Sequence, residues 1–442
     1  MNDWLTMTAA DLGRGIATGE IGPVALTETY LGAIFDHPLH DRIYARVTPD
    51  RALAEARAAE ARASSGHRLS PLDGVPISWK DLFDTAGVAT ESGSKLLAGR
   101  TPTSDARVLC NATALGLVCL GKTHQTELAF SGLGYNPMTA TPPCVNDPDA
   151  VPGGSSSGAA ASVAFGLASC GVGSDTGGSV RIPSVWNDLV GLKTTAGRVS
   201  LEGALPLCAK FDTIGPLCRS VEDAALVLAT LEGGRAPDLR GASLSGARFL
   251  VLDTTAFDGI EDAPATGFDL AVRRFADAGA AIDQAEIPEV AEAMALAPIL
   301  FATEAYGTWK HVIEADPEAM FPQVLERFRG GKDFSGADYV AAWLALDRLR
   351  AAYRSATSGY DAVLVPTCAI LPPKAAKVAT EPDYFVSSNL MTLRNTRIGN
   401  LMGIPALTLP TGVPSTGISL MTPPMTEERL LRLGAAAERA LA

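Results

Sequence analysis

Short apolar runs alternate with helical patterns and glycine-rich turns over residues 67–230. Runs such as 75–79, 117–120 and 168–172 have the length of strands and are too short for helices. Strands that alternate with helices are typical of α/β domains, in which helices cover a sheet. Further strand-like runs follow at 249–252, 280–285, 362–365 and 406–409. The pattern therefore predicts an α/β fold with a mixed β-sheet flanked by α-helices.

Helical patterns dominate the two ends of the chain and the stretch 289–357. Thr8 is a good N-cap for a first helix, and Pro23 and Pro49 each suit the first turn of the next two. Another helix is predicted over 264–278, and an amphipathic helix over 426–441. The only linker-like stretch, 232–246, is short. We therefore expect one large domain over residues 1–442.

The composition excludes several classes of protein. With 442 residues, 47% apolar and 19% charged, the chain is an ordinary globular one. The 36 basic and 49 acidic residues give a net charge of −13, which argues against a nucleic-acid partner. No run of 18 apolar residues is present, so no membrane span is expected.

The cysteines indicate a reducing compartment. There are seven, an odd number, and no two form a C-x-x-C pair. Free thiols of this kind are typical of cytoplasmic proteins. The first residues, MNDWLTMTAAD, lack the basic and apolar regions of a signal peptide. We expect a cytoplasmic protein.

Three short motifs match catalytic patterns and are mostly rejected. Residues 116–123 fit the P-loop pattern, but the apolar middle is typical of the strand itself, whereas a P-loop follows a strand. Residues 154–158 fit G-x-S-x-G, but a loop leads into them and His311 is the only later histidine. Residues 92–95 fit S-x-x-K without its usual companion motifs. A Ser-His-Asp hydrolase that uses His311 stays a minor alternative.

The five histidines are scattered and no Cys/His cluster accompanies them. A zinc site is therefore not expected, and we predict neither a metal nor a cofactor.

The most informative segment, 151–195, contains two glycine–serine turns around an apolar stretch. Glycines in such turns let the backbone approach a ligand closely. The second turn, Asp175-Thr176-Gly177-Gly178-Ser179, offers successive backbone N–H groups that suit an oxyanion or a phosphate. On these residues alone, two loops packed under a sheet are an equally good interpretation.

Several ordered blocks resemble the amidase signature family. They are PLDGVP at 71–76 with Lys80-Asp81, GKT at 121–123, GGSSSG at 153–158, GSDTGGSVRIP at 173–183 and GLK at 191–193. The blocks define a signature core at about 70–230. The chain departs from the family at Trp186-Asn187-Asp188 and at Lys193-Thr194-Thr195, which puts details of the pocket in doubt but not the catalytic residues.

The resemblance implies a Ser-Ser-Lys triad. Ser179 lies where the family has its nucleophile, Ser155 where it has a bridging serine after a cis peptide bond, and Lys80 where it has its lysine base. A lysine acts as a base only when it is neutral, which burial in an apolar site favours. We therefore expect a buried Lys80 beside Ser155.

The resemblance also implies the groups that surround the substrate. The family's oxyanion hole corresponds to the backbone N–H groups of Thr176, Gly177, Gly178 and Ser179. Ala129 lies where a main-chain carbonyl faces the substrate amide, so Ala129 and Ser155 are expected to bind substrate.

Asp175 and Arg181 flank the turn, and we interpret both as structural, with a catalytic acid at Asp175 as the alternative.

The region at about 235–400 is expected to shape the substrate pocket. Tyr306, Trp309 and Phe385 are candidate lining residues. Arg394 and Arg397 are candidates for a substrate carboxylate, although solvated surface arginines are the simpler interpretation.

The function implied is amidase chemistry: hydrolysis of a carboxylic amide C–N bond through a serine acyl-enzyme, releasing ammonia or an amine from a small linear amide. One alternative is the glutaminase-type subunit of a tRNA-dependent amidotransferase, from the same family. Another is a non-catalytic binding protein, which the intact Lys80, Ser155 and Ser179 disfavour. The acyl group is not defined by the sequence, and a homodimer stays open.

Overall fold

The computed structural model describes residues 3–442. Within these residues, eleven strands form one sheet in the order β1-β3-β2-β4-β6-β5-β10-β11-β9-β7-β8. The strands are β1 Tyr44–Val47, β2 Pro76–Lys80, β3 Val118–Thr123, β4 Cys170–Asp175, β5 Val190–Lys193, β6 Thr213–Cys218, β7 Arg248–Leu252, β8 Ala281–Ala285, β9 Ala362–Pro366, β10 Ala406–Pro410 and β11 Gly417–Met421.

The sheet is mixed, as the sequence predicts. Strand β2 runs parallel to β3 and β4, and β7 runs parallel to β8 and β9. The other pairs are antiparallel. The inner strands β2, β3, β4 and β6 are buried along their whole length. Strand β8, at one edge, is mostly exposed.

Sixteen α-helices lie within the described residues. They are α1 Ala9–Thr18, α2 Pro23–Asp36, α3 His40–Ile43, α4 Pro49–Ser65, α5 Arg107–Ala114, α6 Ser157–Ala164, α7 Arg181–Trp186, α8 Val221–Glu232, α9 Asp262–Asp277, α10 Pro288–Ala295, α11 Thr303–Ile313, α12 Pro322–Arg329, α13 Gly336–Ala356, α14 Ala375–Thr380, α15 Pro382–Leu401 and α16 Glu427–Leu441. Helices α6, α7 and α8 pack on β4, β5 and β6, and α16 packs on β10.

The predicted helix starts are confirmed. Thr8 caps α1, because its side chain accepts a 3.0 Å hydrogen bond from the Asp11 N–H. Pro23 and Pro49 each occupy the first turn of α2 and α4, where their missing N–H costs nothing. Gly66 ends α4 in the left-handed conformation.

The P-loop match at 116–123 folds as strand β3, as its apolar residues predict. Lys122 of that motif is buried, lies 3.3 Å from the carboxylate of Asp81 and donates to Thr90 Oγ1 at 2.8 Å. These contacts make Lys122 a structural residue in the core of the sheet. His311, the possible partner of the G-x-S-x-G motif, is exposed on α11.

All seven cysteines are free thiols, and six of them are buried. None of the helices in residues 3–442 has the length and apolarity that a membrane crossing requires. Over the same residues, no group of three or more His, Cys, Asp or Glu side chains is placed to hold a metal ion.

Candidate active site

The parallel pairing of β2 with β4 creates the site. Parallel strands end at the same edge of a sheet, so the last residue of β2 and the last residues of β4 meet there. Lys80 is the last residue of β2, and Ser174 and Asp175 end β4. The two glycine–serine turns lie beside the same edge.

Lys80 is fully buried. Its Nζ donates hydrogen bonds to Ser155 Oγ at 2.7 Å and to Ser174 Oγ at 2.8 Å. Burial lowers the pKa of Lys80 to about 7, although the negative charges of Asp175 and Asp212 oppose the shift. Among the described residues no carboxylate forms an ion pair with Lys80. The contact with Ser155 is the one that the sequence predicts.

Ser155 is held in the first turn by backbone contacts. A cis peptide bond joins Gly154 to Ser155. The Ser155 carbonyl accepts a 3.1 Å hydrogen bond from the Thr126 N–H. The next residue, Ser156, donates its N–H to the Ser179 carbonyl at 3.2 Å, so the two turns are directly connected.

The first turn can approach β4 because residue 173 is glycine. A Cβ atom at Gly173 would lie 2.6 Å from Ser156 Oγ, closer than real Cβ contacts. Any larger residue would push the turn and Ser155 away from the end of the sheet.

Ser179 lies between β4 and α7 and is 4% exposed. Among residues 3–442 the Ser179 hydroxyl has no hydrogen-bond partner, and so it is not hydrogen-bonded to Ser155 Oγ. The structure thus brings the three expected residues to one place, with Lys80 bonded to Ser155 and Ser179 on the adjoining turn. Active-site hydrogen bonds of this kind often tighten only when substrate is bound.

The N–H groups of the turn fall into two sets. Those of Thr176, Gly177 and Ser179 have no protein acceptor within the described residues. The Gly178 N–H instead donates to Asp175 Oδ1 at 2.8 Å. The expectation that Gly178 is an oxyanion donor therefore does not fit the structure, since its N–H already donates a hydrogen bond to the Asp175 carboxylate.

Asp175 and Arg181 form the framework of the turn, as the structural interpretation predicts. Both are fully buried and are joined by two 3.0 Å hydrogen bonds. Asp175 also accepts from the Asn400 side chain at 2.9 Å, and Arg181 donates to the Thr396 carbonyl at 2.7 Å. Burial alone would raise the pKa of Asp175, but the positive charge of Arg181 outweighs it and the pKa falls to about 2.

Ala129 lies opposite the turn in a strained backbone segment. Leu128 and Ala129 both have positive φ, 44° and 61°, which non-glycine residues rarely adopt. The Ala129 carbonyl accepts no hydrogen bond from the described residues. Such strain is often found at ligand sites.

Three adjoining cavities lie at or near Ser179. The serine cavity, about 20 Å³, is lined by Ala129, Gly177 and Ser179 among others. The outer cavity, about 740 Å³, is mostly apolar and shares Phe130, Phe301, Arg327 and Arg397 with the serine cavity. The Asp212 cavity, about 210 Å³, shares Ala129, Thr176 and Leu207 with it. The serine cavity, which Ser179 lines, thus adjoins two larger cavities.

Of the three predicted lining residues, only Phe385 lines the outer cavity. The prediction for Tyr306 and Trp309 is wrong. Tyr306 donates to Glu314 at 3.1 Å, and Trp309 Nε1 donates to the Pro206 carbonyl at 2.8 Å. Both lie on α11, which turns their polar atoms toward other neighbours.

The two candidate arginines of α15 have different surroundings. Arg394 donates to the carbonyls of Ala256 and Asp258 and is therefore structural. Arg397 lines both the outer and the serine cavity. Sequence reasoning missed Arg327, which lines the same two cavities, because nothing in the sequence distinguishes it from Arg329 two residues later.

The chain is similar to known proteins over nearly its whole length. The model of the Amidase family matches residues 25–431. The chain is 35% identical to the 2-amino-5-chloromuconic acid deaminase of Comamonas testosteroni, over 96% of this chain and 94% of that protein. It is 31% identical to a glutamyl-tRNA(Gln) amidotransferase subunit of Chloroflexus aurantiacus, over 98% and 96%. A solved amidase structure superimposes with a TM-score of 0.87 at 29% identity, over 99% of this chain and 100% of that one.

The chain therefore belongs to the Amidase family and has the amidase signature fold. It is an amide-hydrolysing enzyme of that family.

Proposed function

We propose that the protein hydrolyses small linear carboxylic amides through an acyl-enzyme on Ser179, with Ser155 and Lys80 completing the triad. The observation that carries the proposal is the environment of Lys80. Its amine is buried and donates a 2.7 Å hydrogen bond to Ser155, and burial lowers the pKa of Lys80 to about 7. A neutral amine in this position is the base that a serine needs when no histidine is available.

In the first half of the reaction, Ser179 Oγ attacks the amide carbon and a C–O bond forms. Its proton passes to Ser155, while the Ser155 proton passes to Lys80 Nζ. The tetrahedral intermediate then loses the C–N bond, and the same relay returns a proton to the nitrogen. Ammonia or an amine leaves, and the acyl group stays on Ser179.

In the second half, water attacks the acyl carbon and the relay accepts its proton. The C–O bond to Ser179 then breaks, Ser179 regains its proton, and the carboxylic acid leaves. The water supplies the atoms that the products gain, so no other reactant is required.

The oxyanion that forms in both halves would be held by the N–H groups of Gly177 and Ser179, with Thr176 beside them. One such donor is typically worth about 3–4 kcal/mol in the transition state. We assign Gly178 a positioning role, because its N–H anchors the turn on Asp175. The Ala129 carbonyl would accept a hydrogen bond from the substrate amide.

The remaining assignments extend this proposal. We propose that the segment at about 235–400 shapes the acyl pocket, since α12 and α15 contribute much of the outer cavity. The relative named for a muconic acid derivative supports a small-molecule substrate. The free thiols fit a reducing, cytoplasmic location.

The relatives named as glutamyl-tRNA(Gln) amidotransferase subunits support a second candidate function, glutamine hydrolysis within a larger complex. Purification under mild conditions tests it. A co-purifying chain, together with glutaminase activity that appears only in its presence, would favour this second function.

The proposed function itself is tested by intact mass after treatment with a serine-directed fluorophosphonate. We expect one adduct on the wild type and on Ser355→Ala, an exposed serine of α13, and none on Ser179→Ala. Ammonia release from a panel of amides should likewise occur with the wild type and Ser355→Ala and be lost with Ser179→Ala. An adduct that persists in Ser179→Ala would overturn the assignment of the nucleophile.

A further inference from the structure

Two arginines lie where the outer cavity meets the serine cavity. Arg327 comes from α12 and Arg397 from α15, and each lines both cavities. Both side chains are half-buried. We call them the arginine pair.

Neither guanidinium of the arginine pair has a hydrogen bond or an ion pair within residues 3–442. Their contacts are with aromatic rings: Arg327 Cζ lies 4.4 Å from the centre of the Phe130 ring, and Arg397 Cζ 6.0 Å from that of Phe301. Other arginines on the same helices are satisfied. Arg329 pairs with Glu314 at 2.9 Å, and Arg394 donates to backbone carbonyls.

None of the described residues around the arginine pair provides a counter-ion. Glu326 lines the outer cavity but pairs with Arg329 at 3.2 Å. The Cys208 thiol lies near Arg327, but burial raises its pKa well above the usual range, so it is neutral at pH 7.

Both guanidiniums nevertheless remain charged. Burial and the repulsion of Arg397 lower the pKa of Arg327 to about 9, and burial lowers that of Arg397 to about 10. Two cations in a mostly apolar cavity are unfavourable until an anion joins them. Guanidinium groups suit carboxylates in particular, because both are planar and form paired hydrogen bonds.

The arginine pair is close to the proposed reaction centre. A Cβ atom on Gly177 would lie 3.7 Å from Arg397 Cγ and 3.9 Å from its Nε. Gly177 is next to the oxyanion position, so an anion on the arginine pair would be separated from the amide carbonyl by a short chain only. Phe130, Phe301 and Leu393 provide apolar walls for that chain.

We propose that the arginine pair binds a carboxylate of the substrate's acyl part, so that the enzyme acts on monoamides of short dicarboxylic acids. This inference rests on the proposed function, because it places the acyl group relative to Ser179 as the nucleophile. The carboxylate lies between Arg327 and Arg397, the spacer packs on the aromatic walls, and the amide carbonyl meets the turn. The product is a dicarboxylate.

Kinetics on matched substrates tests the inference. The panel pairs succinamate with butanamide, glutaramate with pentanamide and adipamate with hexanamide, so each pair differs only by carboxylate against methyl. We expect the wild type to favour at least one acid by about 100-fold in kcat/KM. Arg327→Met and Arg397→Met should each reduce this preference to less than about tenfold, mainly by raising KM for the acids.

Arg273→Met is the matched control, because Arg273 is an exposed arginine on α9 and its loss removes the same charge from the whole protein. It should keep the wild-type preference. A wild type that cleaves the neutral amides as well as the acids would overturn the inference but leave the proposed function intact.

A binding measurement distinguishes a failure of this inference from a failure of the proposed function. Calorimetry on Ser179→Ala with succinate, glutarate and adipate should detect binding of at least one, weakened about tenfold or more when Arg397→Met is added. If no amide is cleaved and no serine is labelled, the proposed function fails while this measurement still decides the inference. Absence of binding for all three diacids, or binding unaffected by Arg397→Met, would overturn it.

Discussion

Lys80 Nζ lies 2.7 Å from Ser155 Oγ, and neither side chain reaches solvent. The amine is therefore in contact with the hydroxyl whose proton it would accept. Because burial lowers the pKa of Lys80 to about 7, a large fraction of the amine is neutral at physiological pH. Lys80 is buried because the end of β2 lies between β3 and β4, where water is excluded.

The pH dependence of activity should follow Lys80. Protonation removes the base, so kcat/KM for a neutral amide should rise about tenfold per pH unit below pH 7 and level off above it. The measurement covers pH 5–9 with a substrate that does not titrate. Glu127→Gln is the control, because burial raises the pKa of Glu127 to about 7 as well. The inflection should persist in that variant, and a profile that is flat across this range would contradict the assignment.

Replacing Lys80 by methionine keeps the volume and removes the base. We expect kcat to fall by about 10²- to 10⁴-fold, the usual worth of general base catalysis. Ser174→Ala is the matched comparison, since Ser174 accepts the second hydrogen bond from Lys80 but takes no part in the relay. Its loss should be much smaller. Similar losses in both variants would indicate that Lys80 acts through packing, which thermal unfolding of each variant would reveal.

Local signals made much of the fold predictable. The cap at Thr8, the prolines at 23 and 49, and the apolar runs that became β2, β3 and β4 each act through neighbouring residues. The triad came from a family resemblance, since a lysine on a strand carries no catalytic signal of its own.

Other parts of the site depend on contacts that no short segment encodes. Arg327 stands out because it has no hydrogen-bond or ion-pair partner among the described residues, a property that only the folded chain defines. The shape of one turn directs the Gly178 N–H to Asp175, to which it donates a hydrogen bond. Tyr306 and Trp309 were misassigned because their direction depends on how α11 packs.

The two glycines of the turn should respond differently to alanine. At Gly178, φ is +140° and a Cβ atom would lie 2.1 Å from Thr396 Oγ1, so Gly178→Ala should unfold the turn and abolish labelling of Ser179. At Gly177, the nearest atom would be 3.6 Å away, which is ordinary contact. Gly177→Ala should keep its melting temperature while activity falls. Equal stability of the two variants would show that the turn is not fixed as described.

The buried pair of Asp175 and Arg181 should be sensitive to the loss of one partner. Asp175→Asn leaves the Arg181 charge buried without its anion, which typically costs about 3–5 kcal/mol. Urea unfolding measures the loss, and Asp175→Asn with Arg181→Met should recover part of it. Lys374→Met is the control, because its pair with Asp147 is largely exposed and such pairs contribute about 1 kcal/mol or less. A loss at Asp175 no larger than this control would contradict a structural role.

Glu127 connects the signature core to the segment that carries Arg327. One carboxylate oxygen accepts from Ser94 Oγ at 2.8 Å, and the other accepts from the Phe321 N–H at 2.9 Å, just before α12 begins. Burial raises the pKa of Glu127 from 4.5 to about 7. The folded state therefore holds this proton more tightly than the unfolded state between those two values.

The sign of the resulting pH effect follows from proton linkage. As pH rises from about 4.5 to 7, this group should lower the free energy of unfolding by up to about 1.4 kcal/mol per pH unit, with no further change above. Urea unfolding of the wild type and of Glu127→Gln at pH 5, 6, 7 and 8 isolates that contribution as a difference. The wild type should lose stability relative to the variant up to about pH 7, whereas Glu326→Gln, at an exposed glutamate, should track the wild type. A constant difference between wild type and Glu127→Gln would mean that Glu127 does not titrate in this range, and that the start of α12 is held by a permanently charged carboxylate.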